Sequence, residues 1–293
     1  MLSYEEKFLI GLATLKRFRA SLHGREPLPR RRHEKRPSRQ KDRNLDSQGE
    51  RSDTYPSLPT LQAVLQTNSP WPQNSCLVGV CDDNLPFVLD LTNPTAGGVL
   101  IVGEPGSGKT RLLESLLNST AALNGPGQVL LHIIAPDPQE YERIFQTENF
   151  QNIFTDDDPA AIQLLEKLAL FVEQRQRGSH RGPTLIVAID NLASFLQFLP
   201  EDAAKDLYTL ITQGSSSRVW IVSGIPSTQV DKVDERWLPA FRTLIFGAIS
   251  DRNLVLALAG DENAGIDTLV PGYQFSVPFG EEWLRFWVCE SEE

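Results

Sequence analysis

The sequence is poor in the residues that build metal and redox sites. It has three cysteines, Cys76, Cys81 and Cys289, and their spacing fits no zinc pattern. An odd number of cysteines argues against a disulfide framework. The four histidines, His23, His33, His132 and His180, are scattered, and each reads as a structural or surface histidine. No secretory leader opens the chain, and no apolar run reaches the roughly 18 residues that a membrane-spanning helix needs. These absences predict a cytoplasmic protein. No Phe, Trp or Tyr falls between Arg25 and Arg43, so base stacking by that stretch is unsupported.

Charge is plentiful but unevenly placed. The 293 residues carry a net charge of −10. Residues 1–43 hold 13 Lys/Arg against 5 Asp/Glu, a net of +8; the other 250 hold 15 against 33, a net of −18. A basic arm therefore precedes an acidic body. Within the arm, residues 4–22 place Phe8, Leu12, Leu15 and Leu22 at helical spacing, widened by Leu9 and Phe18. Ser3 and Glu6 form a capping box. We read residues 1–23 as an amphipathic helix, suited to docking on its own body, pairing with another helix, or lying on an anionic membrane surface. Residues 24–58 show no apolar periodicity and read as a disordered basic and polar linker, either merely solvated or with its basic half touching nucleic-acid phosphates or acidic protein surface. Residues 59–293 read as one folded body.

The body is organised around residues 99–116, VLIVGEPGSGKTRLLESL. Val99 to Val102 is an apolar run of the kind buried on both faces of a sheet. Gly103-Glu104-Pro105-Gly106-Ser107-Gly108-Lys109-Thr110 fills every fixed position of G-x-x-x-x-G-K-[ST]. Arg111 and the leucines at 112, 113, 116 and 117 continue as a helix. Strand, glycine-rich turn and helix are the setting in which this motif binds phosphate. Glycines let main-chain N–H groups curl around phosphate oxygens. The helix N-terminus adds free donors and a positive dipole end. The pattern predicts ATP with Mg²⁺ as ligand: residues 103–111 around the phosphates, Lys109 neutralising them, and the Thr110 hydroxyl on the metal.

A hairpin leads into this strand, with arms Cys76–Val80 and Pro86–Leu91. After the helix the chain reads as a strand over 128–134, a short helix over 139–146, a brief strand at 152–154 and a helix over 160–177 opened by Asp158-Pro159. Thr184 to Ile189 is a further apolar strand, ended by Asp190. This is the shape of a strand whose terminal carboxylate holds Mg²⁺ opposite a P-loop. The next residue is Asn191, an amide, which orients water but does not accept its proton as a carboxylate does. A helix over 201–213 follows, then the strand 219–222 ending in Ser223, the candidate sensor of the terminal phosphate. A strand at 244–247, a helix over 251–259 and a hairpin of 273–277 with 283–288 close the chain. Strands alternating with helices predict a three-layer α/β fold with a mostly parallel sheet and a hairpin at each end.

Residues 76–288 resemble the motor domain of the FtsK/SpoIIIE and HerA translocases and the related ATPase domains of type VII secretion systems. The resemblance lies in the leading hairpin and P-loop, in Asp137-Pro138 after the second strand, in Asp190, in Ser223 to Pro226 and in Asp251-Arg252. It implies a RecA-like P-loop fold and a ring of like or unlike subunits that acts on DNA or on a secreted or partner protein. The departures from the family pattern lean one way. Gln139 stands for a lysine, Asn191 for the catalytic glutamate, and Gly224-Ile225 for Gln-Arg. No Gly-Arg precedes the sensor strand, where Gln213-Gly214-Ser215 stands. The resemblance thus implies a motor with a weakened catalytic site, in which Asn191 and Ser223 occupy the catalytic positions. Two alternatives remain open: a nucleotide-binding switch or scaffold without turnover, and an adaptor that recruits partners through its N-terminal helix and basic arm.

Overall fold

The computed structural model describes residues 15–17, 58–178, 182–261, 264–280 and 282–290. In chain order its elements are β1 (Leu15–Arg17), α1 (Leu61–Thr67), β2 (Ser75–Cys81), β3 (Pro86–Asp90), β4 (Val99–Gly103), α2 (Lys109–Leu123), β5 (Val129–Ile134), β6 (Phe150–Phe154) and α3 (Pro159–Gln176). There follow β7 (Thr184–Ile189), α4 (Leu192–Leu196), α5 (Glu201–Gln213), β8 (Val219–Pro226), β9 (Thr243–Phe246), α6 (Arg252–Ala259), β10 (Gln274–Phe279) and β11 (Glu282–Trp287).

The strands form one sheet in the order β1-β3-β2-β11-β10-β9-β4-β8-β7-β5-β6. From β9 to β6 every neighbouring pair is parallel. The other half, from β1 to the β10/β9 contact, is antiparallel and contains the two expected hairpins. The apolar runs form strands because both of their faces are covered. Leu100 and Val102 of β4, Val187 and Ile189 of β7 and Val219 and Ile221 of β8 pack under α3, α4 and α5. Val99 and Ile101, Ile186 and Ala188, and Trp220 and Val222 point the other way, onto Leu112, Leu113, Leu116 and Leu117 of α2. The period of two across a strand thus divides one apolar run between two cores. A smaller cluster seats Val64 of α1 on Leu77, Val80, Val88 and Cys289.

The structure differs from the sequence reading at several places. Leu15–Arg17 lies inside the expected N-terminal helix but is a strand, paired antiparallel to β3 from Leu15↔Leu89 to Arg17↔Phe87. As the outer strand of the hairpin, β3 offers a row of free main-chain groups that an extended segment satisfies. The rest of the expected helix, and the linker up to residue 57, lie outside the described residues. The helix expected over 139–146 is two 3₁₀ turns, Pro138–Tyr141 and Ile144–Gln146. A helix not read from the sequence, α4, follows Asn191. Among the described residues, no helix is long and apolar enough to cross a membrane.

Candidate nucleotide site

Strand β8 lies between β4 and β7, so the P-loop at the end of β4 and Asp190 at the end of β7 open on the same edge of the sheet. The loop is shaped by glycine. Gly106 and Gly108 have φ of 82° and 90°, where a Cβ is strained. Gly108 caps α2 with no side-chain hydrogen bond, so the first turn keeps main-chain donors for an anion. Glu104 reaches to the segment after β9. Its N–H donates to Ala248 O at 3.0 Å, and its carboxylate accepts from Ser250 N at 2.8 Å and Ser250 Oγ at 3.0 Å. Glu104 therefore pins the loop to the segment after β9. Ser107 is buried against Gly103 and Gly247, and its hydroxyl has no hydrogen-bond partner among the described residues. Pro105 is exposed.

Lys109 folds back over the loop, its Nζ donating to Gly103 O at 3.1 Å and Glu104 O at 2.9 Å. Burial lowers its pKa, and the charge of Asp190 works against that shift. Thr110 Oγ1 donates to Asp190 Oδ1 at 3.0 Å and lies 3.2 Å from Oδ2. Burial raises the pKa of Asp190, opposed by Thr110, Tyr141 and Lys109. An ammonium, a hydroxyl and a carboxylate thus meet at the mouth of a main-chain cradle. This donor set fits a triphosphate and a hard divalent cation such as Mg²⁺. Lys109 and the α2 N-terminus match the phosphates; Thr110 and Asp190 match the metal.

The two residues expected at catalytic positions are engaged elsewhere. Asn191 is the N-cap of α4, its side-chain oxygen accepting from Ser194 N at 3.1 Å. Ser223 is fully buried, and its hydroxyl donates to Ile189 O at 2.9 Å. Gly224 has a packing reason: a Cβ there would stand 2.5 Å from Asp190 O. No side chain fits between β8 and the residue that carries the carboxylate.

The sequence reading missed several neighbours. Tyr141, fully buried, sits against Asp190; burial and that carboxylate together push its hydroxyl pKa well up. Its oxygen makes no hydrogen bond of full geometry. Burial raises the carboxyl pKa of Glu140 and of Asp156, and Asp190 adds to both shifts. These groups come from the ends of β5 and β6, and only strand order brings them to β7; nothing local in the sequence marks them. Arg111 stacks its guanidinium on the ring of Tyr273, 4.4 Å from the centroid.

Residues 58–178 match the model of the FtsK/SpoIIIE family. A comparison with curated proteins gives no match. Among solved structures, the chain is similar to EssC (ATPases 2 and 3) from Geobacillus thermodenitrificans, at 19% identity and a TM-score of 0.62 over 75% of this chain and 45% of that one. It is similar to EccC (ATPases 2 and 3) of Thermomonospora curvata in complex with a signal sequence peptide, at 16% identity and a TM-score of 0.59 over 80% of this chain and 43% of that one. It is also similar to the pCW3 conjugation coupling protein TcpA with ATPγS, at 16% identity and a TM-score of 0.59 over 75% of this chain and 67% of that one. The match spans less than half the length of the EssC and EccC chains. Residues 58–178 thus resemble the FtsK/SpoIIIE family, and the chain has the RecA-like fold of P-loop NTPases.

Proposed function

We propose that this chain binds Mg·ATP in its P-loop, hydrolyses it slowly, and serves in the cytoplasm as one subunit of an oligomeric machine that moves DNA or a protein substrate. One observation carries the nucleotide reading: Thr110 and Asp190, 80 residues apart in sequence, are in hydrogen-bond contact beside Lys109 at the open edge of the sheet. The bound nucleotide would supply a metal-polarised terminal phosphoryl group for attack by water. The α2 N-terminus would hold phosphate oxygens. Lys109 would exchange its two carbonyl partners for them, and Thr110 and Asp190 would turn from each other to the metal.

The slow step follows from Asn191. Its side chain is an amide whose oxygen caps α4, so the residue that follows Asp190 offers no carboxylate to take a proton from the attacking water. General-base assistance is worth roughly 10²–10⁴ in rate. The likeness to EccC bound to a signal peptide and to a conjugation coupling protein supports a polymeric substrate, peptide or DNA. The test is ATP affinity and turnover by the full chain, with and without DNA, for the native protein and Asn191→Glu. We expect tight ATP binding in both, and turnover raised about 10²-fold in the variant. Unchanged turnover would favour a nucleotide switch without hydrolysis. Failure to bind ATP would remove the reading altogether.

A further inference from the structure

The P-loop has two flanks. On one, the Thr110 hydroxyl meets Asp190 at the end of β7. On the other, the turn before β10 leans on the loop: a Cβ at Gly108 would stand 2.6 Å from Gly272 O and 2.8 Å from its Cα. Strands β9, β4 and β8 separate β10 from β7. Strand order therefore gives the loop a direction, with the metal-binding end toward β7 and the turn toward β10. Tyr273 ends that turn. Its N–H donates to Val270 O at 3.3 Å and its carbonyl accepts from Val288 N at 2.9 Å, so the ring is carried by a fixed main chain. Tyr273 is half-buried and Arg111 is exposed. Arg111 is the residue after Thr110, on the first turn of α2, and its guanidinium is laid on the Tyr273 ring at 4.4 Å.

We propose that Arg111 and Tyr273 form the platform for the nucleobase of the nucleotide whose phosphates occupy the P-loop. The inference rests on the nucleotide reading above. A triphosphate laid along the loop with its terminal end at Asp190 carries its nucleoside past Thr110, toward β10. What it meets there is an aromatic ring topped by a planar cation. Both surfaces attract the π-face of a purine, and neither reads the donors and acceptors on its edge. The site accordingly takes a base as a plane and discriminates little between adenine and guanine. The competing account is that the pair merely ties the β10 turn to the loop. That tie would support the phosphate cradle as a whole, so its loss would weaken every phosphate ligand alike.

The experiment compares ATP, GTP and inorganic tripolyphosphate, each with Mg²⁺, by calorimetric titration of the full chain. The variants are Tyr273→Ala, Tyr273→Phe and Lys109→Ala, with Tyr273→Leu in place of Tyr273→Ala should the latter not fold. We expect Tyr273→Ala to weaken ATP and GTP about ten-fold or more. Tripolyphosphate should stay within about two-fold of the native value, and Tyr273→Phe should keep native nucleotide affinity. Equal loss for nucleotide and tripolyphosphate, or no loss for either, overturns the platform and leaves the P-loop reading standing. Native protein that binds none of the three, or Lys109→Ala that binds all of them as before, overturns both.

Discussion

At the scale of single residues, the site stores charge where the fold would sooner have none. Burial holds the carboxyl pKa of Asp190 above its ordinary value, despite Thr110, Tyr141 and Lys109. A carboxyl raised in this way contributes stability in its protonated form, and that contribution is lost as pH rises through the raised pKa. At neutral pH the ionised group therefore costs the empty protein stability. Asp190→Asn keeps an acceptor for Thr110 and drops the charge. We expect its thermal midpoint without nucleotide to exceed the native one at pH 7, while Mg·ATP affinity falls at least about ten-fold, the order of one lost charge-assisted ligand. A lower midpoint in scanning calorimetry would contradict the sign. His132 of β5 acts in the opposite pH sense. Burial pushes its pKa down to about 4, and the Asn152 amide lies 3.4 Å from its Nδ1. An unfolded histidine titrates near 6.5, so between those values the unfolded chain binds the extra proton. His132's contribution is complete above about 6.5 and falls away as pH drops toward 4, in total about 3 kcal/mol. Denaturant titrations from pH 7 to pH 4 should show this loss, and His132→Gln should flatten it.

At the scale of elements, the site depends on how closely β8 passes β7. The Gly224 main chain lies against the Asp190 carbonyl with no room for a methyl group. Gly224→Ala should force the two strand ends apart, costing about 1–3 kcal/mol of stability. Because the displaced residue carries the carboxylate proposed to hold the metal, Mg·ATP affinity should drop by more than tripolyphosphate affinity measured without metal. Equal drops would show that the whole cradle had moved. This close approach also marks where sequence reading ran out. Val99–Val102 and Leu185–Ile189 were legible as strands because burial on both faces leaves only apolar residues. Gly106 and Gly108 were legible as the bends of a glycine-rich turn, and their positive φ demands glycine there. Gly224 looked like a missing glutamine; its reason is a neighbouring strand 34 positions away in sequence, by the same spacing as the Ser223–Ile189 bond. Asn191 looked like a substituted catalytic residue, and its contact is a helix cap. The five residues of α4 are too few to show a period, so the cap had no visible helix to belong to. Tyr141, Asp156 and Tyr273 were illegible for a related reason: each reaches the site through strand order, which local pattern does not encode.

At the scale of the molecule, the stretch that matches the family model is not the stretch that folds. The match ends at residue 178. Both sheet neighbours of the P-loop strand come later: β8 pairs with β4 from Val99↔Val222 to Gly103↔Pro226, and β9 from Val99↔Thr243 to Val102↔Phe246. The core beneath α2 likewise draws Ile186, Trp220, Val222, Ile245 and Phe275 from beyond that point. A fragment of residues 58–178 would leave β4 with two open edges and α2 without part of its apolar floor. Long-range pairing is what closes this sheet, and a chain lacking it has little to repay the entropy of ordering. We expect 58–178 to show no cooperative thermal transition and no response to Mg·ATP. Residues 58–290 should melt in one transition. At a ligand concentration one hundred times Kd, Mg·ATP should stabilise it by about 2.7 kcal/mol, which is a rise of roughly 5–10 °C for a body of this size. Circular dichroism melts of the two lengths, with and without nucleotide, decide the matter. A cooperative, ATP-shifted melt of the shorter fragment would mean that β4 finds partners before residue 178, and its place between β9 and β8 would no longer account for the site.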